Sequence, residues 1–282
     1  MELLQPSSWE EALAAKAAHP EALPLLGGTD VMVDINFGRE RPEAILDLTR
    51  VKALTEHGTE DGHMRLGAGV TYTRAIAELG RPLPGLAIAS RTVGSPQIRN
   101  RGTIGGNLGS SSPAGDALPP LYASRAQVEV ASERGTRRIP IDEFITGPKR
   151  NQLRSDELIA AVVVPPAPGP QQFSKIGTRN AMVIAVCSFA LEIDPGTRSV
   201  GTCIGSAAPT PRRAREAEAF VERALDWDRR GPIEHEALER FGALVAAAAS
   251  PIDDQRGSAA YRRHALAVMA RRTMRWAWNA CA

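Results

Sequence analysis

Leu26-Gly27-Gly28-Thr29-Asp30 and Thr103-Ile104-Gly105-Gly106-Asn107 are two glycine-bearing stretches, each flanked by short apolar runs, within the first 110 residues of a 282-residue chain. Paired glycines let a backbone take left-handed angles and bring its N–H groups close to an anion. A single Gly-Gly more often just ends a strand, so one turn alone means little. Two of them predict a pyrophosphate held from two sides. The second stretch also lies among hydroxyl, amide and carboxylate side chains at Thr103, Asn107, Ser110, Ser112 and Asp116, a donor and acceptor set suited to a sugar-containing nucleotide. A carboxylate repels pyrophosphate, so Asp116 is expected to accept hydrogen bonds from ribose or ribityl hydroxyls.

Outward from the first stretch, Ser8 and Glu11 have capping-box spacing and predict a helix over 9–18, closed by Pro20. Runs 22–26, 44–48 and 64–70 read as strands, with Thr71 or Thr73 capping a helix that Pro82 ends. The segment 93–120 is rich in Gly, Ser, Asn and Pro and reads as a long loop that needs a bound ligand to order it. Strands are predicted at 127–131, 137–141 and 158–164. The proline run 165–170 then marks the clearest boundary in the chain. Beyond it, 183–193 and 199–207 form a predicted hairpin through Asp194-Pro195-Gly196-Thr197, and helices are expected at 212–225, 233–249 and 258–280.

The chain is 43% apolar and 23% charged with a formal net charge of +2, which fits a globular protein and argues against nucleic-acid binding. No window approaches a membrane span and no leader pattern precedes residue 16, so a cytoplasmic location is expected. Cys187, Cys203 and Cys281 lie far apart without a Cys-x-x-Cys pair, and the five histidines lack ligand spacing. No metal site is predicted on this chain.

Taken together the motifs resemble the FAD-binding medium subunits of molybdenum hydroxylases, the family of xanthine dehydrogenase and carbon monoxide dehydrogenase flavoproteins. The resemblance rests on 26–30 and on Gln97-Ile98-Arg99-Asn100-Arg101-Gly102 leading into 103–107. It continues through Ser112-Pro113-Ala114-Gly115-Asp116 and Phe173-Ser174-Lys175 to Asp253-Asp254-Gln255-Arg256-Gly257-Ser258 with Tyr261-Arg262-Arg263. It implies an α+β fold: an N-terminal FAD-binding domain of the vanillyl-alcohol-oxidase (PCMH) type with two α/β subdomains at 1–57 and 58–170, then a small α+β C-terminal domain at 171–282. It also implies that FAD is carried here, while an iron–sulfur small subunit with two 2Fe–2S clusters and a molybdenum-pterin large subunit complete a dimer of heterotrimers. Electrons would pass from the clusters through FAD to an external acceptor, and this chain would need no catalytic acid, base or nucleophile.

On that resemblance Gly27, Gly28 and Thr29 face the FAD pyrophosphate, with Leu26 also in contact with the cofactor, followed by Asp30 on the cofactor side and by Val31 against the isoalloxazine ring. Thr103, Gly105, Gly106 and Asn107 form the second loop, with Ile104 turned into the core and Ser110 and Asp116 serving the sugar. Lys175 would set a positive charge near the flavin, and Ile159 and Val93 would be apolar cofactor contacts. Tyr261, Arg262, Arg263, Arg271 and Arg272 read as packing, surface or subunit contacts. Two other readings stay open: a stand-alone flavin oxidoreductase of the same fold, and a flavin-free scaffold.

Overall fold

The computed structural model describes residues 1–281. Strand β1 (Glu2–Leu4), helix α1 (Trp9–Ala18), strand β2 (Leu23–Leu25), helix α2 (Val31–Asn36) and strand β3 (Ala44–Asp47) open the chain. The capping box is formed: the Ser8 hydroxyl accepts the Glu11 amide at 3.1 Å and the Glu11 carboxylate accepts the Ser8 amide at 3.4 Å. Both β1 and β2 pair parallel with β3, in the order β1-β3-β2. Parallel strands need crossovers, which α1 and α2 provide, and the first glycine turn lies just past the carboxyl end of β2. That is where open parallel sheets collect ligands.

A second unit follows. It runs through β4 (His57–Glu60), β5 (His63–Gly67), α3 (Tyr72–Glu78), α4 (Pro84–Arg91), α5 (Pro96–Arg101), α6 (Ile104–Ser110) and α7 (Leu118–Ala123). Then come β6 (Gln127–Ser132), β7 (Gly135–Pro140), α8 (Ile141–Phe144), β8 (Ile145–Gly147), β9 (Arg150–Asn151) and β10 (Leu158–Val164). The main sheet is antiparallel in the order β4-β5-β10-β6-β7. β10 is its centre, buried at all seven positions, as an uninterrupted Leu-Ile-Ala-Ala-Val-Val-Val run requires.

The structure corrects the reading of 93–120 as a loop, since α5, α6 and the start of α7 occupy most of it. The residues read as loop formers here start helices. Ser95 and Thr103 cap α5 and α6 by accepting the amides of Ile98 and Gly106, and prolines fill first-turn positions of α5 and α7. A proline lacks the N–H that a first turn leaves unpaired anyway, so it fits there without loss.

The third unit begins with β11 (Gln171–Ile176), β12 (Cys187–Asp194) and β13 (Ser199–Gly205), an antiparallel sheet in that order. The predicted hairpin turn is present, and the Asp194 carboxylate accepts the amides of Gly196 and Thr197 at 2.9 and 3.2 Å. Helices α9 (Arg215–Ala224), α10 (His235–Ala248) and α11 (Ala259–Asn279) cover one side.

One apolar core unites the first two units, from Ala12 and Leu46 to Leu66, Ile104 and Val162. A second belongs to the third unit and includes Phe189, Phe241, Leu266, Met274 and Trp278. Between them lie Ala89, Ala123, Phe173 and Ala190, beside a buried polar pin. There Gln171 accepts the Gly85 amide at 2.9 Å and donates to Glu192 at 2.5 Å, which also accepts from Ser124 at 2.7 Å. Among the described residues no helix is long and apolar enough to cross a membrane, and no group of acids, histidines and cysteines is placed to hold a metal.

Candidate functional site

The first glycine turn is built by contact with the second motif. A β-carbon on Gly27 would overlap the Arg101 carbonyl and lie 3.0 Å from the Gly102 Cα, so only glycine lets the two segments meet. Gly28 has φ +73°, the left-handed region that an L side chain disfavours. This geometry leaves the amides of Gly27, Gly28, Thr29, Asp30 and Val31 without a hydrogen-bond partner among the described residues. Such a row of amides suits an anion with several oxygens. Asp30 stands at the start of α2 but its side chain makes no cap; its carboxylate accepts the Ser110 hydroxyl at 2.7 Å, tying the turn to the end of α6.

The second motif is a helix start, and its amides from Ile104 onward are already engaged. Ile104 and Gly105 donate to the carbonyls of Val70 and Ala68 at 3.0 and 2.9 Å, Gly106 to the Thr103 hydroxyl at 2.9 Å, and Asn107 to the Thr103 carbonyl at 3.0 Å. The Gly-Gly pair therefore serves close approach, not free donors. A β-carbon on Gly105 would overlap Ala68, whereas one on Gly106 would meet only the Thr103 hydroxyl, at 2.9 Å. Gly106 thus presents a bare backbone face, and Ile104 is fully buried as expected from the sequence.

Around these turns two buried oxygens have no partner among the described residues: Asn107 Oδ1 and Asp116 Oδ1. Asn107 packs against Gly115, where a β-carbon would meet its amide at 2.6 Å. Asp116 is 7% exposed, and its other oxygen accepts from Lys175 at 2.5 Å and from Thr92 at 3.1 Å. Burial holds the Asp116 carboxyl above the ordinary range, with the Lys175 ammonium pulling the other way. Lys175 is buried on β11 and also donates to the Thr92 carbonyl at 3.1 Å, so it is not a solvated strand residue.

The remaining positions are dispersed around this centre. Leu26 and Val93 are half-buried against the first core, and Arg99 braces the Val93 and Gly94 carbonyls at 3.0 Å. Ile159 is buried at a bulge of β10, with Gly109 of α6 above its Cδ1. Three contributors carry no signal in the sequence. Thr92 positions Asp116; Tyr72 lies against Gly102, its phenol raised by burial and by the nearby Asp116 and Asp30 carboxylates; Ser206 donates its amide to Pro113 at 2.9 Å. Arg262, read as a packing, surface or subunit contact, is 4% exposed and so packs inside.

A row of backbone N–H donors for phosphate oxygens on one side and sugar-matching acceptors on the other are what a dinucleotide requires. Comparison with known proteins agrees. The family model described as the FAD binding domain in molybdopterin dehydrogenase matches residues 1–167, and that of the CO dehydrogenase flavoprotein C-terminal domain matches 172–277. A putative xanthine dehydrogenase FAD-binding subunit of Escherichia coli is 32% identical, covering 94% of this chain and 91% of that one. The nicotine 6-hydroxylase medium subunit of Paenarthrobacter nicotinovorans is 30% identical over 95% of this chain and 94% of its own. Among solved structures, carbon monoxide dehydrogenase of Hydrogenophaga pseudoflava superposes with a TM-score of 0.90 at 27% identity, covering 100% of this chain and 98% of that one.

Proposed function

Since the chain belongs to the family of FAD-binding subunits of molybdenum-containing dehydrogenases, we propose that it holds FAD between its two glycine motifs and relays electrons from a partner's iron–sulfur clusters to an external acceptor. The row of five unpartnered amides at Gly27–Val31 carries this reading. Bound FAD supplies the redox chemistry, because it takes electrons singly and gives them up in pairs. The protein binds, orients and excludes water.

In that arrangement the amides of Gly27, Gly28 and Thr29, with the Thr29 hydroxyl, receive the pyrophosphate, and the bare face of Gly106 lets it approach. Leu26, Val31, Val93 and Ile159 supply apolar contacts, while Thr103 and Ile104 fix the helix start that carries Gly105. Asn107, Ser110 and Asp116 offer acceptors to sugar hydroxyls, and the two orphan oxygens gain partners there. Asp30 holds the turn to α6 through Ser110. Lys175 brings a cation to the same pocket. We read 1–57 and 58–170 as the two FAD-binding subdomains and 171–282 as the C-terminal domain.

The partners in this reading are an iron–sulfur small subunit and a molybdenum-pterin large subunit, in a dimer of heterotrimers. A relative described as the medium subunit of nicotine 6-hydroxylase supports a multi-subunit assembly. The test is to purify the full chain with its co-expressed neighbours, release the flavin by denaturation and identify it. Stoichiometric FAD, reduced only when the molybdenum subunit and its substrate are present, is expected. Absence of flavin, or substrate oxidation by this chain alone, would refute the relay.

A further inference from the structure

The C-terminal domain reaches the cofactor loop by a second route that bypasses Lys175. Arg262, in the first turn of α11, is 4% exposed and donates to the Ser206 carbonyl at 2.7 Å and to the Asp254 carboxylate at 2.6 Å. Its Nε and the Ser206 hydroxyl are both buried without partners among the described residues, so its hydrogen bonds all come from the two terminal nitrogens. Ser206 has φ +59°, a left-handed conformation that a non-glycine residue keeps only when its surroundings over-determine it. Two bonds do so. Its carbonyl is held by Arg262 and its amide donates to the Pro113 carbonyl at 2.9 Å.

Pro113 opens the turn that sets Gly115 against Asn107 and Asp116 beside Lys175. Within that turn the amides of Ala114 and Gly115 bond Ser112, and the amide of Leu118 bonds Gly115. We infer that Arg262 is a positioning residue for the cofactor loop: it holds Ser206 in a strained conformation whose amide fixes Pro113, and so sets Asn107 and Asp116. Asp254 keeps the guanidinium aimed, since Arg256 and Arg262 both bond its carboxylate. The inference rests on the proposed FAD site only for its second readout below.

The test uses the full chain with Arg262→Lys, Arg262→Met and Ser206→Gly substitutions. With the Arg262 bond lost, hydrogen exchange at Ala114, Gly115 and Leu118 is expected to quicken about tenfold, the change that one lost hydrogen bond brings. Exchange at Gly27–Val31 should stay within about twofold. FAD affinity should fall by a similar factor, and Arg262→Lys should sit between wild type and Arg262→Met. Glycine adopts φ +59° without restraint, so Ser206→Gly combined with Arg262→Met should restore much of the protection at 114–118. A purely structural arginine would speed exchange along α10 and α11 and leave 114–118 unchanged, and that result overturns the inference. So does a double variant no better than Arg262→Met, or than Arg262→Lys should Arg262→Met fail to fold. Wild-type chain that binds no FAD would count against the cofactor reading instead, with hydrogen exchange still deciding the role of Arg262.

Discussion

Lys175, on the first strand of the C-terminal domain, places its ammonium 2.5 Å from the Asp116 carboxylate of the FAD-binding domain, with the two side chains 8% and 7% exposed. Neither charge has water to fall back on. Removing one partner strands the other, so Lys175→Met should lower unfolding free energy by about 3–5 kcal/mol. The double variant with Asp116→Asn should cost less than the single one. Denaturant unfolding of the four chains in the cycle checks this.

The two halves of the first glycine pair should fail for different reasons. Gly28→Ala forces a β-carbon into a left-handed residue and should cost about 1–2 kcal/mol. Gly27→Ala collides with the Arg101 carbonyl, parts the two motifs and should abolish flavin retention. Flavin per chain, measured beside the melting temperature, distinguishes the two. Retention of full flavin by Gly27→Ala would refute the contact.

Thr103→Val removes the hydroxyl that accepts the Gly106 amide and should destabilise by about 1 kcal/mol. Thr103→Ser keeps the acceptor and should recover most of it. Thermal melts of both variants read the difference.

Glu192 sets a pH dependence whose sign follows from its burial. Burial raises its folded-state carboxyl above the ordinary value, against the bonds from Ser124 and Gln171. The fold therefore favours the protonated form. That contribution is complete below the unfolded pKa and is lost as pH rises through the folded one. Glu192→Gln retains an oxygen for both donors and should flatten the fall in stability as pH rises above the ordinary carboxylate range. A wild-type curve parallel to that of Glu192→Gln would refute the assignment.

Much of the fold can be read from local pattern. The Ser8 and Glu11 cap, the apolar run of β10 and the Asp194 hairpin turn all specify their structure within a few residues. The short strands β1, β4 and β11 have no such signature, because their place is set by neighbours distant in sequence. At the site, glycine spacing locates both motifs but not their division of labour. The row of free amides lies at Gly27–Val31, and those of residues 104–107 are taken by Val70, Ala68 and Thr103. Thr92, Tyr72 and Ser206 stay hidden in the sequence for the same reason, since each acts through a tertiary contact.

The partition of the apolar interior into two cores has a consequence for synthesis. The first core draws almost wholly on residues up to Val164, so it can close while the remainder is still being translated. At about 5–20 residues per second, the rest of the chain takes on the order of ten seconds to emerge. Through that interval Asp116 sits on a finished scaffold with no ammonium opposite it, and the pocket lacks its far wall. Chains arrested once residues 1–170 have cleared the ribosome should resist protease up to Val164, and at that stage the cofactor meets its widest entrance.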